Sequence, residues 1–163
     1  MVKGNWALFD EDFWSINTIL QNLIHTCSAK SVMLIDRTGQ LISSIGEPPG
    51  FDVTAFGALA AGDFSANQLL AEMVGEADFA TLVHQGVNES LYLSMIANRV
   101  ILVVLFDRKT SLGLVRLKAR RSGEELLSVL NKVFDKLQYK NEETLGAEFA
   151  AEAESEIDSL FQD

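Results

Sequence analysis

The sequence predicts an α+β fold in which one antiparallel sheet is covered by helices on both faces, and three observations lead there. Segments with helical and with strand-like hydrophobic spacing follow one another in the order α, β, β, α, β, β, β, α. The connections between successive strands are short, which favours antiparallel neighbours over crossovers. One strand candidate, Val100 to Phe106, is apolar at every position, so both its faces need cover and helices must lie above and below the sheet.

Each element has its own signal. From Asp10 to Cys27, Phe13, Ile16, Ile19, Leu20, Leu23 and Ile24 recur at three- and four-residue steps, with Asp10 placed to cap the first turn. Two strand-like runs follow, Ser31 to Asp36 and Gln40 to Ile45, joined through Arg37, Thr38 and Gly39, whose glycine supplies the positive φ of a tight hairpin. The two prolines between Gly46 and Gly50 break regular structure. A second helix is expected from Asp52 to Val74, a stretch rich in Ala, Leu and Phe that contains no proline and stops at Gly75. Thr81 to Gln85, Ser90 to Ala97 and Arg99 to Phe106 read as three further strands, turning at Gly86 to Glu89 and at Asn98.

A third helix is expected from Thr110 to Leu137, capped by Thr110 or Ser111. Ser122 followed by Glu125 also has the spacing of a capping box, so the alternative to one helix is two shorter ones that meet near Gly123. The composition of Lys140 to Ala147 predicts no regular structure. Beyond it Phe149, Ile157, Leu160 and Phe161 stand among acids and predict a short amphipathic helix.

A chain of 163 residues suits one domain with a short appendage. Its 48% hydrophobic and 22% charged residues are those of an ordinary globular domain, which excludes wholesale disorder. The formal net charge of −10 argues against a nucleic-acid partner, because neutralising phosphates needs clustered Lys and Arg. That charge is uneven: residues 141–163 hold eight acids and no Lys or Arg, against 13 basic and 15 acidic residues in 1–140. The expected division is therefore a nearly neutral domain over 1–140 and an acidic, flexible tail over 141–163. The single cysteine, Cys27, offers no internal disulfide and no second thiol for zinc, which fits a reducing compartment. The opening residues lack the apolar core of a signal peptide, and Val100 to Phe106 is too short to span a bilayer, so a cytoplasmic protein without membrane insertion is expected.

Catalytic chemistry is thin. His25 and His84 belong to no Ser-His-Asp, HExxH, CxxC or phosphate-loop pattern, and His25 and Cys27, two apart on a helix, point to different sides. No catalytic residue, metal ligand or cofactor site is expected. Arg116, Lys118, Arg120 and Arg121 read as the solvated side of the third helix, since no aromatic residues interleave them.

The second helix is the informative anomaly. If Ala55, Leu59, Gly62, Ala66, Leu70 and Met73 pack on the sheet, then Ala58, Ala61, Ser65 and Leu69 form a second face, and Phe56 and Phe64 stand on a third. One domain cannot cover all three. Small side chains admit another backbone closely and exposed Phe anchors interfaces, so self-association and a partner are expected.

Three blocks of this sequence, Leu34 to Ser44 (LIDRTGQLISS), Leu59 to Glu76 (LAAGDFSANQLLAEMVGE) and Ser90 to Leu117 (SLYLSMIANRVILVVLFDRKTSLGLVRL), resemble the Roadblock/LC7 family, in particular its bacterial MglB-type members, which regulate the Ras-like polarity GTPase MglA. The resemblance spans roughly Phe9 to Leu137, and the tail ending in Ile157 to Phe161 also fits. It implies a five-stranded antiparallel sheet with the second helix on one face and the first and third on the other. It implies further a homodimer in which Thr81, Val83 and Gln85 pair with their copies and Phe56 and Phe64 join the interface. On the paired second helices one GTPase per dimer would sit, on Ala61, Ser65, Gln68, Leu69 and Glu72, although Gln68 and Leu69 are bulkier than the family's small-residue face.

The implied activity is stimulation of GTP hydrolysis by repositioning the GTPase's own groups, with no arginine on the platform and Arg99 and Arg108 as the nearest candidates in other elements. Ile157, Leu160 and Phe161 would dock separately and affect nucleotide exchange. The alternative is a Roadblock scaffold or adaptor without GTPase activation, since the same fold serves both.

Overall fold

The structure, a computed structural model, describes the backbone of residues 10–160 and the side chains of residues 10–138. The elements are α1 (Asp10–Cys27), β1 (Ser31–Asp36), β2 (Leu41–Gly46), α2 (Val53–Val74), β3 (Thr81–Gln85), β4 (Glu89–Ile96), β5 (Val100–Asp107) and α3 (Leu112–Leu160). The strands form one five-stranded sheet in the order β2-β1-β5-β4-β3, and every neighbouring pair is antiparallel.

The doubly apolar strand lies in the middle of the sheet. Val100, Leu102, Val104 and Phe106 of β5 point into a core with Ile16, Leu20 and Leu23 of α1 and Val115, Leu126 and Leu130 of α3. The alternate residues Ile101 and Val103 point the other way, into a core with Met33, Ile35 and Leu93 under Ala60 and Phe64 of α2. Continuous hydrophobicity thus serves two cores, and the predicted layers are present.

Local chemistry sets the boundaries. Asp10 opens α1 as its first helical residue and not as its cap; with Glu11 and Asp12 it places negative charge at the helix's positive end. Asp12 also receives a hydrogen bond from Lys136 Nζ at 2.8 Å, which ties the start of α1 to α3. The β1–β2 turn uses Gly39 at φ 94, and Asp36 Oδ1 accepts from Thr38 N, Thr38 Oγ1 and Gln40 N. Asp52 caps α2, accepting from Thr54 N at 2.9 Å and Ala55 N at 3.3 Å, and Gly75 closes it at φ 82. Ser111 Oγ caps α3 by accepting from Leu114 N.

For α3 an open alternative is decided and one expectation is corrected. The helix is unbroken from Leu112 to Leu160, so Ser122 and Gly123 lie in its interior instead of starting a second helix. Ser122 is buried there, and a Cβ on Gly123 would meet only Ile96 at contact distance, so this glycine fits a turn lying close over β4. The helix also continues through Lys140 to Ala147, where composition predicts no regular structure. That stretch has neither proline nor a run of β-branched residues, and its Glu, Leu and Ala are good helix formers. Phe161 lies outside the described residues, as do the side chains of Ile157 and Leu160. Among the described residues, no helix is long and apolar enough to cross a membrane.

Candidate partner-docking surface

The face that α2 turns to the sheet differs from the expected one. Its buried residues are Gly57, Ala60, Phe64, Asn67 and Ala71, whereas Ala55, Leu59, Gly62, Ala66, Leu70 and Met73 are exposed. The cause is close approach at two points. Gly57 lies so near the β1–β2 turn that a Cβ on it would stand 2.0 Å from the Gly39 carbonyl oxygen. Asn67 Nδ2 donates to the Phe79 carbonyl at 2.9 Å, locking the second half of the helix by a polar contact. A helix apolar nearly all round carries no periodic signal able to choose between such faces.

The correction enlarges the unpartnered surface. Leu59 is 73% exposed and Met73 83%, and Leu69, Leu70 and Val74 are each more than half exposed. Apolar side chains exposed together on one helix face are the kind of surface that interfaces use. Phe64, by contrast, is only 7% exposed and belongs to the core beneath α2. It is not the free anchor expected of it. Phe56 is half-buried against the same core, with its ring 4.9 Å from that of Phe51.

The remaining candidates divide by position. Ala61, Ser65 and Gln68 line a cavity of about 120 Å³ with Arg37, Phe79 and Asn98, beside the β1–β2 and β4–β5 turns. Leu69 and Glu72 are exposed further around and along the helix. Thr81, Val83 and Gln85 lie on β3, which is hydrogen-bonded to β4 along one edge and forms the end of the sheet. Thr81 and Gln85 are exposed, and Val83 is half-buried against the core of α1 and α3. On the other face of β3, His84 Nε2 lies 2.6 Å from Asp63 Oδ2 and joins the edge strand to α2. An exposed sheet edge and an exposed apolar helix therefore stand side by side.

Sequence reasoning overlooked Arg37. Arg99 and Arg108 are the expected nearest arginines, yet Arg99 stacks over the Phe134 ring, 4.6 Å from its centre, and Arg108 donates to the Val87 carbonyl at 2.9 and 3.2 Å. Arg37, 31 positions before Gln68, reaches the Gln68 Oε1 at 3.3 Å.

Other reactive groups have structural surroundings. Cys27 is fully buried, and burial pushes its thiol pKa up, so little nucleophilic thiolate is present near neutrality. Lys30 pairs with Glu89 and, at 3.7 Å, with Glu47; the hydrogen bond to Glu89 holds the Lys30 ammonium charged above its usual range. Arg116, Arg120 and Arg121 are exposed, the last two pairing with Glu124 and Glu125 one turn on. Among the described residues, no group of three or more His, Cys, Asp and Glu gathers as a metal site.

Comparison with known proteins agrees with this architecture. The family model for the Roadblock/LC7 domain matches residues 15–106. Myxococcus xanthus MglB is 39% identical, with a TM-score of 0.73 over 78% of this chain and 96% of that one. The gliding protein MglB of Thermus thermophilus is 28% identical, with a TM-score of 0.74 over 80% of this chain and 99% of its own. An uncharacterized protein of Methanocaldococcus jannaschii is 31% identical over 111 residues, covering 68% of this chain and 96% of that protein. A family model that matches more than half of the sequence, on a fold with the same strands and helices, makes the chain a member of the Roadblock/LC7 family.

Proposed function

We propose that this chain is a homodimeric regulator of a small Ras-like GTPase of the MglA type, stimulating GTP hydrolysis without a catalytic site or cofactor of its own. The observation that carries the reading is the outward face of α2, where Leu59, Leu69, Leu70, Met73 and Val74 are exposed beside the edge strand β3. Pairing β3 with its copy through Thr81, Val83 and Gln85 satisfies an open edge and brings two α2 helices together, with Phe56 at the margin. One GTPase then sits across both helices, on Ala61, Ser65, Gln68, Leu69 and Glu72, in a complex of two regulators and one GTPase. The likeness to two MglB structures, one described as a gliding protein, supports a role in polarity or motility.

Activation works by repositioning. Binding the hydrolysis-competent arrangement of the GTPase more tightly than the resting one shifts its population toward turnover. An inserted arginine would supply about 10³ to 10⁵ in rate. Arg37, beside the platform, is instead tied back by hydrogen bonds to Asn98 and Gln68. The C-terminal segment with Ile157, Leu160 and Phe161 docks separately and affects nucleotide exchange. The test is GTP turnover by a purified MglA-type GTPase with and without this protein, expected to rise about tenfold or more. Intact binding with unchanged turnover would leave the scaffold reading in its place.

A further inference from the structure

Resting on the docking reading above, we infer that Arg37 is a fixed receptor for a carboxylate side chain of the partner protein. Its guanidinium is held by three acceptors: Nη1 donates to the Asn98 carbonyl at 3.3 Å and to Asn98 Oδ1 at 3.2 Å, and Nη2 donates to Gln68 Oε1 at 3.3 Å. All three acceptors are neutral. Among the described residues Arg37 makes no ion pair. Asp36 turns Oδ1 into its own hairpin, and Asp78 lines the same cavity without reaching ion-pair distance. Among the described residues the exposed charge is therefore held by neutral acceptors alone.

The backbone does the fixing. Arg37 N donates to the Arg99 carbonyl at 2.9 Å, joining the β1–β2 turn to the β4–β5 turn. In that second turn Ala97 and Asn98 both adopt left-handed φ, 53° and 54°. For Ala97 this is a strained conformation, and the turn holds the Asn98 carbonyl and side chain against the guanidinium.

Chemistry then selects the ligand. A guanidinium has five N–H donors, and these three acceptors leave the Nε N–H and one Nη2 N–H for a further acceptor, which a carboxylate supplies together with the opposite charge. The adjoining cavity of about 120 Å³ is well below the usual size of a small-molecule pocket and admits only the end of a side chain. A ligand that drew the side chain away from Asn98 and Gln68 would break these hydrogen bonds. A surface carboxylate brought down onto the platform requires no movement.

The experiment measures the affinity of the full chain for a purified MglA-type GTPase, loaded with GTP analogue, using wild type, Arg37→Ala and Arg37→Lys at two ionic strengths. Arg37→Ala is expected to weaken binding about 30-fold, with a flatter salt dependence and an unchanged unfolding temperature. Arg37→Lys keeps the charge but lacks the fork, and is expected to restore the salt dependence but less than half of the lost binding energy. Wild-type affinity in Arg37→Ala overturns the inference and leaves the docking reading standing. Unchanged affinity with slower turnover at saturation also overturns it, by showing that the group acts on phosphate. Failure of the wild type itself to bind overturns both.

Discussion

Replacing Gly57 with alanine is expected to destabilise the fold by about 3 kcal/mol, although alanine is the better helix former. A methyl group at this position would stand 2.0 Å from the Gly39 carbonyl oxygen, a backbone atom that cannot rotate away. Gly39 cannot yield, because its own φ of 94 fixes the hairpin and a Cβ there would lie 2.8 Å from the Gly57 carbonyl. Helix and turn must separate, and the packing of Ala60 and Phe64 over the sheet is lost with them. Gly62, one and a half turns along the same helix, has open space where its Cβ would go. The same substitution there is expected to be neutral or to stabilise by up to about 1 kcal/mol through helix propensity. Urea denaturation of the two variants checks the sign difference; equal effects would mean that α2 does not rest on the β1–β2 turn.

Ser65→Arg is expected to reduce GTPase affinity by about 100-fold or more while leaving the unfolding transition in place. Ser65 is exposed, its hydroxyl donates only to the Ala61 carbonyl one turn back, and the fold asks nothing further of it. An arginine there would add bulk to the proposed platform and a second cation beside Arg37. Binding that survives this change, measured by interferometry against the GTP-loaded partner, would move the contact away from this side of α2.

Much of the architecture was legible because its signals are local. The strands Ser31 to Asp36 and Thr81 to Gln85 run between the predicted limits, and Gly39, Asp52 and Gly75 punctuate the chain as their chemistry requires. The face of α2 was not legible. Its orientation is decided by the contact of Gly57 with Gly39 and by Asn67 with Phe79, neither of which leaves a periodic trace. Phe64 was misplaced for the same reason: spacing alone cannot tell an exposed aromatic from one pressed into a core.

The candidate surface shows the same boundary. The resemblance implies a contact through Ala61, Ser65, Gln68, Leu69 and Glu72; the first three line one cavity and the last two lie exposed beyond it. Arg37 escaped because its role depends on two hairpin turns meeting at one end of the sheet, Arg37 with Arg99 and Asn98. Nothing within either turn announces the other. At Lys140 to Ala147 polarity is a poor guide, since these polar residues favour a helix and the chain is helical there.

The proposed function requires α2 to be covered by a second copy and a GTPase together. Native mass spectrometry of the full chain, alone and mixed with a GTP-loaded MglA-type GTPase, tests this most directly. The predicted species are a dimer of the 17.9 kDa chain and, in the mixture, that dimer carrying one GTPase. A chain that stays monomeric at high concentration and forms no complex with the GTPase would contradict it.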